Sequence, residues 1–423
     1  MGTFWKRAKL VLSDTTLRRR IFITFFILAL FRIVAAIPLP GVDVLRLQSV
    51  LADNSFLGFL NIFSGGGLST LSIFMLGVGP YITSSIILQL MAVIFPRLKE
   101  LQQEEGEAGR RTFAQYSRLL SVPLAVVQAI ALLALLGSQG ILIDLTFFDQ
   151  GMNVIVATAG SLLLMWMGEQ ISEYGVGNGL SLIIFAGIVV GMPTVISQLY
   201  LTFAVAQLPL YLGFILVAAV IVAGIVCVAE AERPIPVTYA KQVRGVKQVG
   251  GVQTYLPLRV NQAGVLPIIF ALSVLLFPQI AASFLTQIPN EIALTIADFL
   301  VFIVSNNIVY STTYFLMVFL FTFFYVSINF DPEKVAENLQ KSGAFVPGIR
   351  PGKNTAEYLA TITARLTLVG ALFLGAIAVL PLVMQAITGN AILAIGGTGL
   401  LIVVSVILEL VKQLDAQVTM REY

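Results

Sequence analysis

The most constraining feature of this sequence is a series of ten apolar runs, each about as long as a membrane-crossing helix. A helix needs roughly 20 mostly apolar residues to cross the hydrocarbon of a bilayer. Only 11% of the 423 residues are charged, against about 25% in a typical soluble domain. The sequence therefore predicts an all-α membrane protein with ten transmembrane helices. The runs lie at 21–37, 72–95, 119–136, 152–168, 179–199, 209–229, 264–283, 302–327, 366–387 and 391–410.

The first run follows three arginines, Arg18 to Arg20, as the apolar part of a secretory signal peptide also does. It is followed by Pro38-Leu39-Pro40-Gly41, which lacks the small-residue pattern of a cleavage site. We therefore expect this run to be the first span and not a removable signal.

Basic residues are concentrated on one side of the predicted spans. They lie before run 1, in the segments between runs 2 and 3, 6 and 7, and 8 and 9, and in the tail, whereas the opposite side receives Arg46. Cytoplasmic loops of multi-pass proteins carry the excess of lysine and arginine, so both termini are predicted to be cytoplasmic. Topology thus accounts for the basic residues, and the net charge of +3 does not by itself indicate a nucleic-acid partner.

The ten runs divide into two groups of five. Five spans in each group would give the two halves opposite orientations in the membrane, as in inverted-repeat folds. The predicted organisation is a cytoplasmic N-terminus at 1–20, an N-terminal half at 21–199, a C-terminal half at 200–410 with cytoplasmic loops at 230–260 and 328–364, and a cytoplasmic tail at 411–423.

A short apolar segment and a glycine cluster interrupt the pattern before run 2. Residues 56–63 are under half the spanning length, and Ser64-Gly65-Gly66-Gly67 ends them. Backbone that stops inside a membrane must be buried in protein or line a watery cavity, because lipid cannot pair its amides. The segment at about 56–68 therefore favours a channel or transporter, the alternative being a re-entrant helix that only fills space.

Missing residues exclude several classes of membrane enzyme. The chain has no histidine and one cysteine, so it has no Ser-His dyad, no HExxH zinc site and no internal disulfide. It also lacks a phosphate-binding loop and a pair of aspartates within a run. We expect a protein that is not an enzyme and binds no metal or cofactor. The leading alternative, a secondary transporter for a small solute, would place ionisable residues near the midplane, and the runs carry none there.

Two glycine clusters are predicted to serve packing and turns. Gly175, Gly177 and Gly179 lie between two runs with no preceding soluble strand, which favours a turn with helix capping over a nucleotide site. The cluster at 396–399 favours close helix packing.

Several segments together resemble the SecY family of bacterial protein-conducting channels, and their order and spacing are highly specific. The segments are Phe63-Ser64-Gly65-Gly66, Gly77-Val78-Gly79-Pro80-Tyr81-Ile82, Glu104-Glu105-Gly106-Glu107-Ala108-Gly109-Arg110, Gly175-Val176-Gly177-Asn178-Gly179, Leu256-Pro257-Leu258-Arg259-Val260-Asn261 and Phe345-Val346-Pro347-Gly348-Ile349-Arg350-Pro351-Gly352. The resemblance implies an hourglass pore between the two halves, closed at its waist by apolar side chains. It implies that the channel passes unfolded secretory chains outward and releases membrane segments sideways into lipid.

The resemblance also implies roles for particular residues. An apolar ring would exclude water and ions by dewetting, and a glycine hinge would let a plug swing aside. Two positions depart from the family pattern, since Val78 is smaller than the usual isoleucine and Gly67 replaces a frequent alanine. The pore ring is Val78, Ile82, Leu180, Ile184, Ile269 and Ile402; the plug is Phe59, Ile62, Phe63, Ser64, Gly65, Gly66 and Gly67; the lateral gate contains Gln89 and Phe277.

The partners implied by the resemblance supply the energy that the chain lacks. Lys241, Arg244, Lys247 and Arg350 match the loops that dock the SecA ATPase or the translating ribosome. The other implied partners are the SecE and SecG subunits, signal peptides, nascent chains and membrane lipid. The implied location is the bacterial inner membrane.

Overall fold

The structure is a computed structural model that describes residues 14–40, 47, 61, 64–103, 106–142, 146–201, 208–239, 242–244, 247–249, 253–286, 288, 290–388 and 391–422. The helices in the first part of the chain are α1 (Thr15–Ala35), α2 (Gly79–Ile94), α3 (Pro96–Gln103), α4 (Gly106–Ser138), α5 (Phe147–Tyr174), α6 (Gly179–Leu201) and α7 (Leu208–Glu230). The strands are β1 (Glu232–Tyr239), β2 (Gln242–Arg244), β3 (Lys247–Val249), β4 (Gln253–Arg259) and β5 (Ala344–Phe345). The later helices are α8 (Leu266–Leu285), α9 (Glu291–Ser305), α10 (Asn307–Asn329), α11 (Pro332–Lys341), α12 (Lys353–Thr388) and α13 (Ala391–Glu422).

A predominantly helical fold with membrane-spanning helices is confirmed. In the described residues, four helical stretches are long and apolar enough to cross a bilayer: Gly106–Gly137, Phe147–Tyr174, Asn307–Lys341 and Lys353–Ala386. Helices α2 and α3 add a fifth if the 118° bend between them lies within one span. Shorter apolar helices lie at Gly179–Pro193, Ile215–Glu230 and Leu266–Leu275. The count of ten spans stays a prediction.

Two predicted spans begin later than the apolar runs indicate. The run at 72–95 becomes helical at Gly79, and residues 72–78 form turns instead. Pro80 accounts for part of this difference, because proline is tolerated in the first turn of a helix but would break a helix that began earlier and continued through it. The run at 302–327 crosses a helix boundary at Asn306, whose side-chain oxygen accepts hydrogen bonds from the amides of Ile308 and Val309 at 3.0 and 3.3 Å. Helix α10 therefore begins at Asn307.

The predicted loop at 230–260 contains strands that an all-α prediction omits. Strands β4, β1 and β5 form an antiparallel sheet in that order, and β2 pairs with β3 as a separate hairpin. Strand β1 pairs with β5 only through Thr238 and Tyr239, so Pro234 and Pro236 lie where β1 has a neighbour on one side. Proline is tolerated there because its missing amide removes no bond from a second ladder.

The three-stranded sheet is held by a hydrophobic cluster. Its buried members are Ile235 and Leu258 from the sheet, Val346 just after β5, and Leu359 and Ile362 from α12. Burial of a side chain of this size contributes about 1.5–3 kcal/mol. The cluster therefore fixes the sheet to the N-terminal part of α12, beside the loop that carries Arg350.

The chain forms two compact units. The first contains Met1–Phe214, Leu272–Tyr310 and Pro381–Tyr423, and the second contains Ile215–Ala271 and Ser311–Leu380. In the first unit, α4 packs against α2 and α5, while α6 packs against α5 and α13. The division into halves near residue 200 stays a prediction.

Candidate functional site

The segment between Ser64 and Val78 is irregular backbone that is mostly buried among helices of the first unit. Helix α1 and the residues after it hold one side: the Thr70 hydroxyl donates to the Ala35 carbonyl at 3.1 Å, and the Leu39 amide donates to the Leu71 carbonyl at 2.8 Å. On α5, the Ser161 hydroxyl donates to the Gly77 carbonyl at 2.9 Å. These bonds satisfy backbone groups that lipid could not pair.

The N-terminal part of this segment is a hydrogen-bonded turn at the predicted plug. The Ser64 hydroxyl donates to the Asn61 carbonyl at 3.0 Å and accepts from the Leu68 amide at 2.9 Å. The Asn61 side-chain oxygen accepts from the Ser69 amide at 2.8 Å. Gly65 adopts φ of +65°, a conformation that favours glycine. Of the predicted plug residues, Phe59, Ile62 and Phe63 lie outside the described residues.

Gly65 packs closely against an aromatic ring of α1 and against the backbone of α6. A Cβ built on Gly65 would lie 2.6 Å from Phe31 Cζ, and a Cβ built on Gly187 would lie 2.1 Å from Gly65 Cα. The Phe31 ring is itself buried and stacks on Phe74, with ring centroids 5.7 Å apart. The sequence analysis did not identify Gly187 or Phe31, and a glycine within an apolar run is the one local signal that points to such a contact.

Four predicted ring residues of the first unit are buried, and three of them lie on helices α2, α6 and α13. Val78 immediately precedes α2 and Ile82 lies one turn further, and both are buried. Ile184 of α6 and Ile402 of α13 are also buried. The Ile82 amide donates to the Val78 carbonyl at 3.1 Å, so Val78 lies one turn before Ile82 at the start of α2.

Helices α6 and α13 approach each other closely near these residues. A Cβ built on Gly399 of α13 would lie 3.0 Å from Ile188 Cγ2 of α6. The prediction of close helix packing at the cluster around residue 399 is therefore confirmed for Gly399. Since Ile402 lies one turn from Gly399 and Ile184 one turn from Ile188, both predicted ring residues are on the helices that make this contact.

Leu180 and Ile269 have different surroundings. Leu180 is half-buried, and its Cδ2 lies 2.8 Å from a Cβ built on Gly168, so its side chain packs against α5. Ile269 is buried in the part of α8 that belongs to the second unit. The neighbouring Phe270 makes edge contacts with Phe321 and Tyr325 of α10, each with centroids 6.1 Å apart. The participation of Leu180 and Ile269 in one ring stays a prediction.

The turn between α5 and α6 confirms the predicted capping role of its glycine-rich sequence. The Asn178 side-chain oxygen accepts hydrogen bonds from the amides of Leu180 and Ser181 at 3.1 and 3.3 Å, which caps α6. The Val176 amide donates to the Thr24 hydroxyl at 3.1 Å, which ties the turn to α1.

The predicted lateral-gate residues are on α2 and α8. The Gln89 amide nitrogen donates to the Ser85 hydroxyl at 3.3 Å, while the Gln89 side-chain oxygen is buried without a hydrogen-bond partner among the described residues. Phe277 is exposed. Their role in a gate stays a prediction. Elsewhere in the described ranges, no group of three His, Cys, Asp or Glu residues could hold a metal ion.

Arg350, a predicted docking residue, is exposed at the tip of a defined turn. Gly348 and Gly352 on either side have φ of +83° and +95°. The Thr355 hydroxyl donates to the Arg350 carbonyl at 3.0 Å. Arg244 and Lys247 are opposite each other in the β2–β3 hairpin, and Lys241 lies outside the described residues. The structure thus presents one docking candidate on a fixed backbone.

Comparisons with known proteins agree with these features. A sequence model of the SecY family matches residues 72–411. The chain is 42% identical to the protein translocase subunit SecY of Corynebacterium glutamicum, over 97% of each chain. It is 40% identical to that of Thermus thermophilus, over 100% of this chain and 97% of the relative.

Solved structures support the same fold at lower sequence identity. A structure described as that of a protein conducting channel has a TM-score of 0.64 and 20% identity, covering 96% of this chain and 94% of the other. Sec61 in the canine ribosome-channel complex from the endoplasmic reticulum has a TM-score of 0.61 and 19% identity, with 96% and 94% covered. Together with the family match over residues 72–411 and the near full-length relatives, this likeness shows that the chain belongs to the SecY family.

Proposed function

We propose that this protein-translocation channel passes unfolded secretory polypeptides across the membrane and releases apolar segments sideways into lipid. The observation that carries this proposal is the buried, irregular segment 64–78, which lies among apolar helices and is held by side-chain and backbone hydrogen bonds. Irregular backbone at membrane depth must be buried in protein or line a watery cavity, and a plug that closes a path meets this requirement.

The apolar ring is the proposed seal of that path. Val78, Ile82, Ile184 and Ile402 would present hydrocarbon side chains at the waist, with Leu180 and Ile269 completing the ring. An apolar constriction dewets and so blocks ions, yet it offers no strong binding groups to a passing chain. The turn at Ser64–Gly67 is the proposed plug, and Gln89 and Phe277 are the proposed contacts at the lateral gate.

The energy for transport is proposed to come from partners, and the chain itself is proposed to have no enzymatic activity. Lys241, Arg244, Lys247 and Arg350 would dock either the SecA ATPase or a ribosome, in keeping with the likeness to a ribosome-bound Sec61 channel. The SecE and SecG subunits would complete the channel. The proposed location is the bacterial inner membrane with both termini in the cytoplasm, which agrees with the distribution of basic residues.

The test is transport by the purified complex in vesicles. Vesicles that contain the chain with SecE and SecG should take up an unfolded secretory polypeptide only when SecA and ATP are added, and a folded, disulfide-locked version of the same polypeptide should stay outside. Uptake of a small solute in the absence of any polypeptide would support the secondary transporter instead. Purification provides a second discriminator, because the channel should retain a one-span helical subunit and a solute carrier should not.

A further inference from the structure

The contact between Gly187 and Gly65 is a backbone-to-backbone approach that no side chain can occupy. A Cβ on Gly187 would lie 2.1 Å from Gly65 Cα, 2.4 Å from its carbonyl carbon and 2.7 Å from its carbonyl oxygen. These are main-chain atoms, so no rotamer change can relieve the overlap. The turn or the helix itself would have to move.

The turn at Gly65 is also packed against helix α1. The Phe31 ring lies there, 2.6 Å from the position that a Cβ on Gly65 would take. That ring is buried and stacked on Phe74, which is buried as well. The turn also keeps its own shape through the hydrogen bonds of Ser64 with Asn61 and Leu68. A turn that packs against both the backbone of α6 and a buried ring of α1 is positioned by the absence of a side chain at 187.

We infer that Gly187 positions the plug. The absence of a side chain at 187 lets the turn at Gly65 pack against α6, and any side chain at 187 favours a channel in which the turn is displaced. The inference rests on the proposed plug role of Ser64–Gly67. Gly187 is a positioning residue, since it would act on transport through the turn and through no contact with a translocating chain.

Helix α6 supplies a matched control for this inference. Gly191 lies one turn beyond Gly187, and a Cβ built there meets nothing within 4 Å. Alanine is a better helix former than glycine at both positions. The variants Gly187→Ala and Gly191→Ala therefore change the helix in the same way and differ in the contact with Gly65.

The experiment measures thiol accessibility in the assembled complex. The exposed Cys227 is replaced by serine, and Leu68→Cys, at a fully buried position whose side chain makes no hydrogen bond, provides the probe. A water-soluble maleimide should label this thiol slowly in the parent and with Gly191→Ala. With Gly187→Ala the labelling rate should rise roughly tenfold or more, because a methyl group forced into close packing is costly. Unchanged protection with Gly187→Ala would overturn the inference.

A second measurement distinguishes the positioning role of Gly187 from the plug role of the turn. Resting ion conductance in planar bilayers should rise with Gly187→Ala and not with Gly191→Ala. Faster labelling without any rise in conductance would support the positioning role of Gly187 and overturn the plug role of the turn. If the Gly187→Ala protein fails to accumulate, the double variant Phe31→Leu, Gly187→Ala should accumulate, since a smaller side chain at 31 lets the turn shift. The thiol should again be protected in this double variant. Failure of that pair to restore protection would also contradict the inference.

Discussion

The Thr355 hydroxyl donates a hydrogen bond to the main-chain carbonyl of Arg350 across 3.0 Å. Thr355 is buried in the first turn of α12, whereas Arg350 is exposed. The amides of Thr355 and Ala356 also donate to the Gly352 carbonyl, at 3.0 and 3.1 Å. The backbone that presents the arginine is therefore fixed by the helix that follows it.

We expect Thr355→Val to weaken docking of the proposed SecA partner without altering insertion. The valine keeps the shape of the side chain but removes the donor, and one hydrogen bond contributes about 1 kcal/mol, or roughly fivefold in affinity. Thr355→Ser keeps the hydroxyl and is the control. The measurement is SecA affinity for vesicles containing equal amounts of each variant. Equal affinities for the two variants would mean that this bond does not position Arg350.

The proposed seal predicts an ion leak when polar groups replace the ring. Ile82→Asn together with Ile184→Asn should wet the constriction and raise resting conductance roughly tenfold or more. The same change should relax the need for a strong signal sequence, because opening then costs less. The control is Ile82→Leu with Ile184→Leu, which keeps the ring apolar. The assignment of these two positions fails if planar-bilayer conductance of the asparagine pair matches that of the unmodified complex.

Replacing two buried polar residues of α5 with apolar residues should change the stability of the protein in opposite directions. Asn153 is 1% exposed, and neither polar atom of its side chain has a hydrogen-bond partner among the described residues. Asn153→Leu has similar branching and should stabilise the protein by about 1–3 kcal/mol, the usual penalty of an unpaired buried polar group. Ser161 is also buried, but its hydroxyl donates to the Gly77 carbonyl at 2.9 Å.

Ser161→Ala removes that donor and should destabilise by about 1 kcal/mol or more. Thermal unfolding midpoints of both variants in the same detergent provide the comparison. A lower midpoint for Asn153→Leu would show that the asparagine has a partner in the assembled membrane complex.

The same helix offers a prediction about backbone proximity. A Cβ built on Gly160 would lie 2.1 Å from the Ile73 carbonyl oxygen, whereas one on Gly151 meets nothing within 4 Å. Gly151→Ala should stabilise α5 by up to about 1 kcal/mol through helix propensity. Gly160→Ala should destabilise by roughly 1–3 kcal/mol, because segment 64–78 must shift. Unfolding midpoints that move in the same direction would contradict the close approach.

Long apolar runs predicted the helices that carry the fold, and their ends were much less predictable. The runs at 119–136 and 152–168 lie within α4 and α5 because the length of an apolar run reflects the thickness of hydrocarbon that a helix crosses. Helix α12 begins at Lys353, well before its run at 366, because helical hydrogen bonding continues into polar sequence outside the membrane. Strand β1 was missed because prolines at 234 and 236 favour turns locally, while its pairing with β4 is a tertiary contact.

The roles of the candidate site residues stay predictions, and the contacts around them were not predictable from the sequence. The resemblance assigns Val78 and Ile82 to one ring, but nothing local indicates which neighbours their side chains meet. Gly65 and Gly187 touch although they are far apart in the sequence, and a glycine in an apolar run is equally consistent with packing against lipid. A local sequence pattern indicates the chemistry of a residue, whereas the position of the turn at Gly65 depends on how α1 and α6 are placed relative to each other.

Arg350→Glu should nearly abolish motor-driven transport while leaving insertion and topology intact. Lys334, Lys341 and Lys353 keep the loop basic, so the positive-inside signal survives. Removing a guanidinium that pairs with an acidic group of the proposed SecA partner, and reversing its charge, costs about 2–5 kcal/mol when the contact is buried. The glycine turns and the Thr355 bond hold this one side chain at the tip, where a partner can reach it.

Lys353→Glu is the matched control for this prediction. Lys353 is an exposed residue at the first position of α12, three residues beyond Arg350 and outside the turn. A glutamate there is favourable for the helix, because acidic side chains stabilise helix N-termini. Lys353→Glu changes the loop charge by the same amount as Arg350→Glu. It should nevertheless reduce transport far less, because Lys353 lies outside the turn that presents Arg350. ATP-dependent translocation into vesicles with equal amounts of each variant measures the difference, and equal rates would leave Arg350 as one of the basic residues that only set topology.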